Sequence, residues 1–128
     1  MKNVIFYLGL GVLFTHELDA MPNHEWRLLP ILRGLSDDLG ADIFVLAHVP
    51  IFAAVIAFIA SQNPQIRAKT RLITSGFLVV HGLLHGLFSG HTAYEFSSSL
   101  STMLIYSAAG FGLMYLLAEL LDRRANVA

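Results

Sequence analysis

Four apolar stretches, separated by turn or polar residues, organise this chain. The first runs from Asn3 to about Asp19. The second, Ala41–Ala60, is apolar except for Asp42 at its mouth and His48 within. The third, Leu72–Gly90, contains His81 and His85, and the fourth, Met103–Leu121, has no histidine and ends near Glu119. Gln62-Asn63-Pro64 and the serine-rich run Ser97-Ser98-Ser99-Leu100-Ser101 punctuate the later stretches. A helix needs about 20 apolar residues, at ~1.5 Å each, to cross a bilayer, and all four come close. The pattern predicts an all-α fold, a four-transmembrane-helix bundle. Residues 1–128 would form a single polytopic membrane domain with spans at about 3–19, 41–60, 72–90 and 103–121.

The connection Pro22–Gly40 is long for a simple turn. Trp26, Leu29, Leu32, Leu35 and Leu39 recur at three- or four-residue spacing, whereas Arg33, Asp37 and Asp38 occupy other faces. An amphipathic interfacial segment between helices 1 and 2 is expected, with Trp26 as its anchor and Pro30 either kinking it or starting its helix. It would serve as a packed linker or as a lid over the outer mouth. Serines of the third connection are expected to cap the fourth helix, through Ser99 or Ser101.

Composition agrees with a membrane domain: 55% of residues are hydrophobic, 13% are charged, and the mean hydropathy is +0.64. Lys2 and the apolar run Val4–Phe14 resemble the start of a signal peptide. A small-x-small cleavage site is missing near Ala20, so the segment reads as a retained span. A formal charge of −1 and the lack of a basic stripe argue against nucleic acid as a partner. The chain has no cysteine, which excludes disulfides, iron–sulfur clusters and thiolate zinc and leaves only nitrogen and oxygen ligands for a metal. Lys2, Arg67, Lys69, Arg71, Arg123 and Arg124 lie on one side of the predicted spans, and only Arg27 and Arg33 on the other. Both termini should therefore be cytoplasmic, with the first and third connections outside.

That orientation gathers polar chemistry at the outer half. His16, His24, His48, His85 and His91 fall there, with His81 one turn deeper, beside Glu17, Asp19, Glu25, Asp37, Asp38, Asp42 and Glu95. By helical rise, His16 lies about one turn (~5 Å) below the outer end of its span, His48 roughly 10 Å and His85 about 7 Å. Three helices thus bring imidazoles to overlapping depths. His81 and His85 are four apart and share a helix face. The stripe Gly82, Gly86 and Gly90 beside them would bring a neighbouring helix close. Ionisable groups in hydrocarbon are costly and tend to mark a site. A metal site opening to the non-cytoplasmic face is expected, with His16, His48, His81 and His85 as leading ligands. Asp19, His91 and Glu95 follow, then Glu17, His24 and Glu25. Asp19 would either coordinate or accept the second N–H of His16. The bland alternative is that each histidine is wetted or bonded to a carbonyl, and His24-Glu25 beside Trp26 suits that description best.

The pairs His16-Glu17 and His24-Glu25 and the H-x-x-x-H of His81 and His85 resemble the histidine boxes of membrane-bound di-iron desaturases and hydroxylases. Those enzymes are larger and carry H-x-x-H-H boxes that this chain lacks, and their ligands typically face the cytoplasm. As a whole the chain is similar to small bacterial four-span integral membrane proteins of unknown function, through its HELDA and HEWR elements. This resemblance implies the fold and a bacterial inner-membrane location. No G-x-S-x-G elbow, phosphate loop or H-E-x-x-H motif is present.

Three functions compete on this reading. One is a metal-dependent membrane enzyme, oxidoreductase/hydroxylase-like or hydrolytic, with iron or zinc and a lipid or other hydrophobic substrate. Glu17 or Glu95 would be its general base. Another is a haem protein for electron transfer, ligated by His48 and either His81 or His85. The third is a non-enzymatic accessory subunit of a larger membrane complex, docking through its glycines and Ala108 and Gly112. A homodimer fits any of them.

Overall fold

The computed structural model describes residues 1–125 and is an all-α bundle of four helices: α1 (Lys2–Ala20), α2 (Asp37–Ile59), α3 (Pro64–Phe88) and α4 (Ser99–Ala125). α2, α3 and α4 are long and apolar enough to cross a membrane. α1 lacks an apolar window of that length, because Lys2 and Asn3 open it and His16, Glu17 and Asp19 fall in its last turns. Many large apolar side chains face outward, among them Leu46, Ile73 and Leu87. Such a surface suits lipid rather than water, and the molecule is an integral membrane protein.

α1, α3 and α4 each bury one stripe. On α1 it is Phe6, Gly9, Leu10, Leu13, His16 and Ala20; on α3 Thr74, Ser75, Leu78, His81, Gly82 and His85; on α4 Ser101, Leu104, Ile105, Ala108, Gly112 and Tyr115. The spacing is the three-and-four alternation of a helix face. Three histidines occupy positions where the phase of the helix demands a core residue.

α1 runs antiparallel along nearly the whole of α4. Lys2 Nζ contacts Glu119 Oε2 at 2.8 Å and Asp122 Oδ2 at 2.5 Å; Phe6 packs on Tyr115; Leu13 joins Ala108; Ala20 reaches Ile105. Arg71 ties α3 to the same end, donating to Asn3 Oδ1 and the Tyr7 hydroxyl. α3 and α4 meet through two glycines. A Cβ on Gly112 would lie 2.6 Å from the Ser75 carbonyl oxygen, and one on Gly82 would lie 2.7 Å from Ala109 Cβ. Of the glycine stripe expected at this seam, Gly86 only borders Tyr106, and Gly90 faces open space beyond the helix. α2 is the least buried helix and rests mainly on α3 and the first connection.

The caps follow from sequence. Asn63 Oδ1 accepts from Gln65 N at 2.9 Å and Ile66 N at 3.4 Å, with Pro64 as the first helical residue. Asn63→Ala should lower thermal stability by about 1 kcal/mol, read from unfolding in detergent, with no change at the opposite end of the bundle. For α4 the cap is Ser98, not Ser99 or Ser101: its Oγ accepts from Ser101 N at 2.9 Å. Ser99 already lies inside the helix, and buried Ser101 is the residue being capped.

The first connection contains one 3₁₀ turn, Glu25–Arg27, followed by non-helical turns through Arg33, in place of a continuous amphipathic helix. Trp26, Leu28 and Leu32 are buried with Ala20, Phe44, Phe96 and Ile105, while Leu29, Ile31 and Leu35 face out. The connection therefore folds back over one end of the bundle.

Candidate metal centre

Beneath that connection His16, Glu25, His81 and His85 each offer one ligand atom, all within 4.8 Å of one another, and all four residues are buried. The rings stand edge to face: centroids are 4.9 Å apart for His16 and His81, 4.9 Å for His16 and His85, and 4.6 Å for His81 and His85. His81 Nε2 and His85 Nε2 are 3.1 Å apart. His16 Nε2 lies 3.4 Å from Glu25 Oε2, and His85 Nε2 3.7 Å from Glu25 Oε1. Donors bound to one ion at ~2.0–2.1 Å, at a tetrahedral angle, are about 3.3–3.4 Å from each other. The observed separations bracket that value. Three imidazoles and one carboxylate match the nitrogen and oxygen ligation of zinc, iron or other divalent transition metals.

Unsatisfied polarity points the same way. His16 is 1% exposed, yet among the described residues neither ring nitrogen has a hydrogen-bond partner, and Glu25 Oε2 is also buried without one. Buried polar groups are nearly always paired, and each exception needs a cause. A cation among these atoms would supply it. Burial pushes the Glu25 carboxyl up, but the imidazoles of His16, His81 and His85 outweigh burial and hold it below the ordinary glutamate value. The group is therefore an anion facing three imidazoles, the charge state a metal ligand requires.

The surroundings hold these rings in place. The Tyr94 hydroxyl lies 3.3 Å from His85 Nδ1, an outer partner that orients the ring. Phe96 packs against His85 and His16, and Phe77 against His81. A cavity of about 70 Å³ opens onto Glu25, His81 and His85 between Leu28, Leu29, Leu84 and Phe88. It has room for a water or a diatomic molecule. Glu25 reaches inward because His24 takes a left-handed backbone conformation, φ 49°. That turn sends consecutive side chains opposite ways: Glu25 enters the cluster, and His24 Nδ1 meets Glu95 Oε2 at 2.8 Å on the outside.

Glu95 belongs to a surface network and stands apart from the four-residue cluster. Arg27 donates to Glu95 Oε1 and to both carboxylate oxygens of Asp37, and Trp26 Nε1 donates to Asp37 Oδ1. His24 first, with Arg27, holds the Glu95 carboxyl below its ordinary value despite a small opposing effect of burial. These pairs therefore support the fold above the ordinary carboxylate range and are lost as pH falls through the lowered value. His91 is exposed, with Nδ1 accepting from Ala93 N. α3 ends at Phe88, so His91 and Glu95 do not share its face. Asp19 keeps a buried, unpartnered Oδ2, and its carbonyl accepts from Asn23.

His48 and Glu17 pair with each other. His48 Nε2 is 3.0 Å from Glu17 Oε2, and its Nδ1–H donates to the Phe44 carbonyl at 2.7 Å. Glu17 follows His16 by one residue, about a quarter turn around α1, and so faces α2 rather than α3 and α4. The pair borders a second, larger cavity. The structure thus unites His16, His81 and His85, leaves Asp19, His48 and His91 outside, and adds Glu25. On sequence grounds Glu25 stands among the last-ranked ligands, and the one signal for it is the repeated His-Glu pair.

The family model of DUF6713 matches residues 2–122, which carry every residue of both sites. The chain belongs to DUF6713, a family of unknown function. No curated protein and no solved structure matches it. The likeness to di-iron histidine boxes is accordingly one of residue pattern alone, and this DUF6713 chain builds its cluster from two helices and a connection.

Proposed function

We propose that this DUF6713 chain is a four-span membrane metalloenzyme whose ion, iron or zinc, is held by His16, Glu25, His81 and His85 near the non-cytoplasmic face. The observation that carries the reading is the convergence of four ligand atoms around a buried His16 whose ring nitrogens have no hydrogen-bond partner among the described residues. α1 counts as the fourth span because it lies along the length of α4, its 19 residues covering ~28 Å. Its Lys2 end meets Glu119, Asp122 and Arg71, beside the cation-rich turns whose charge bias supports cytoplasmic termini. The outward-facing leucines of the first connection rest in the outer interface.

An ion bound by three neutral imidazoles and one carboxylate keeps a net positive charge, and the small cavity leaves one side of it approachable. Such an ion would activate dioxygen or lower the pKa of a bound water. The surrounding apolar surface favours a hydrophobic substrate, and oxidative or hydrolytic chemistry both fit. Glu17, close to the cluster but outside it, is the better placed of the two glutamates to move a proton; Glu95 is engaged by Arg27 and His24. A haem held by His48 and His81 or His85 is less well supported, because His48 pairs with Glu17 while His81 and His85 point at each other.

The test is elemental analysis of protein purified without added chelator, with cobalt substitution read by visible absorption. One ion per chain is expected. Acidification should release it, because protons compete for the imidazoles. Affinity should fall as the pH is lowered, followed by loss of the cobalt absorption at each step. Metal-free protein after reconstitution with iron, zinc and manganese would reject the reading.

A further inference from the structure

The larger cavity, about 300 Å³, lies between α1, α2 and α3 and is distinct from the metal cluster. Its walls are apolar: Leu10, Leu13, Phe14, Phe52, Val55 and Phe77 contribute most of them. Polar chemistry enters through Glu17 and His48, paired at one side, and Thr74. The volume falls at the lower end of small-molecule sites, which combine apolar walls with a few placed polar groups (~300–1,000 Å³). Two lining residues, Ile51 and Ile73, are 52% and 72% exposed on the lipid-facing surface, so the cavity opens sideways into the bilayer. Phe77 lines it and also packs on the His81 ring at 5.3 Å, so one aromatic wall separates cavity and cluster.

We infer that this cavity binds the chain of a neutral long-chain lipid carrying a hydroxyl or carbonyl, with its oxygen against the Glu17–His48 pair. The inference rests on the enzyme reading above and names the substrate class for it. The lateral opening admits a molecule already dissolved in the membrane. Among the described residues no lysine or arginine lines the cavity, so an anionic headgroup would meet the Glu17 carboxyl with only His48, already paired to it, alongside. A cationic head would have to displace His48 from Glu17. A hydroxyl or carbonyl needs only one hydrogen bond from a pair whose positions are already set by the Phe44 carbonyl. α2 packs loosely here, which lets a chain enter between α1 and α2 without breaking the α1–α4 seam.

The experiment uses the full chain in lipid nanodiscs and a long-chain alcohol bearing a diazirine, with the matching acid and amine as parallel probes. Labelling by the alcohol should concentrate on peptides holding Phe14, Phe52 and Val55 and be competed by unlabelled alcohol. It should be mostly lost in Ile51→Trp, which fills the mouth, and weakened in His48→Ala, while both variants keep wild-type metal content. Labelling spread evenly over Leu87, Leu117 and the other exposed faces, unchanged by Ile51→Trp, overturns the proposal. Preferential labelling by the acid or the amine overturns the neutral class. If Ile51→Trp also loses metal, Val55→Phe narrows the cavity from another wall and decides the same point. Metal without cavity labelling removes this inference and leaves the metal centre standing; labelling without metal removes the metal centre and the substrate role with it, leaving only a lipid-binding cavity.

Discussion

Replacing His16 with alanine is expected to reduce bound metal from one ion per chain to background. His81→Ala, His85→Ala and Glu25→Gln should each do nearly the same. Loss of an outer partner of a ligand costs ~10–100-fold in affinity, and loss of a ligand itself should exceed that. His16 is the sharpest case because, among the described residues, neither of its ring nitrogens has a hydrogen-bond partner. Glu25→Gln keeps the shape of the side chain and removes its charge, leaving three neutral ligands. His48→Ala and His91→Ala are the counterparts: each removes a histidine that the fold holds elsewhere, and each should retain the ion. The readout is elemental analysis together with the cobalt spectrum, with helical content checked by circular dichroism. An unchanged metal content in His16→Ala and Glu25→Gln would place the ion at some other point and undo the assignment.

Gly112→Val should be the most damaging single change away from the cluster. Its first added carbon would lie 2.6 Å from the Ser75 carbonyl oxygen and 2.9 Å from Leu78 Cβ, and backbone cannot step aside as a flexible side chain can. Overpacking of this kind costs typically ~1–3 kcal/mol, and here it would force α4 away from α3. Because α3 supplies two of the four ligands and α4 supports α1, which supplies a third, the displacement should lower both thermal stability and metal affinity. Gly110→Val is the control: a Cβ there meets nothing within 4 Å, so the same gain in side chain on the same helix should be nearly silent. Equal effects of the two substitutions on thermal stability in detergent would show that the tight seam is not what sets the spacing of the ligands.

Much of the fold was readable from residues alone. Each apolar run falls in a helix, since hydropathy and the turn chemistry of Asn63-Pro64 are local properties, but α2, α3 and α4 begin at Asp37, Pro64 and Ser99, ahead of the runs at Ala41, Leu72 and Met103. Pairing of His81 with His85 was also readable, because a spacing of four on a helix fixes a shared face. The place of Asp19 was harder: it lies three residues from His16, yet only the packing around α1 decides whether a side chain there finds a partner. His48 matched the others in depth, and depth was the only coordinate the sequence offered. Rotation around α2 turned its ring towards Glu17 instead. His91 and Glu95 depended on α3 continuing past Phe88, and a turn intervened.

What residue order alone determined, then, was an apolar all-helical chain with its histidines and most of its carboxylates gathered at one end. Hydropathy, helical period and charge bias act over a few residues and need no partner. The tertiary structure decided which of those polar groups meet. His16, His81 and His85 converge because each occupies the buried stripe of its own helix, and Glu25 joins them because the backbone turns left-handed at His24 and folds the connection inward. Relative helix rotation and the path of a non-helical connection are set by packing between distant segments, and no local pattern encodes them.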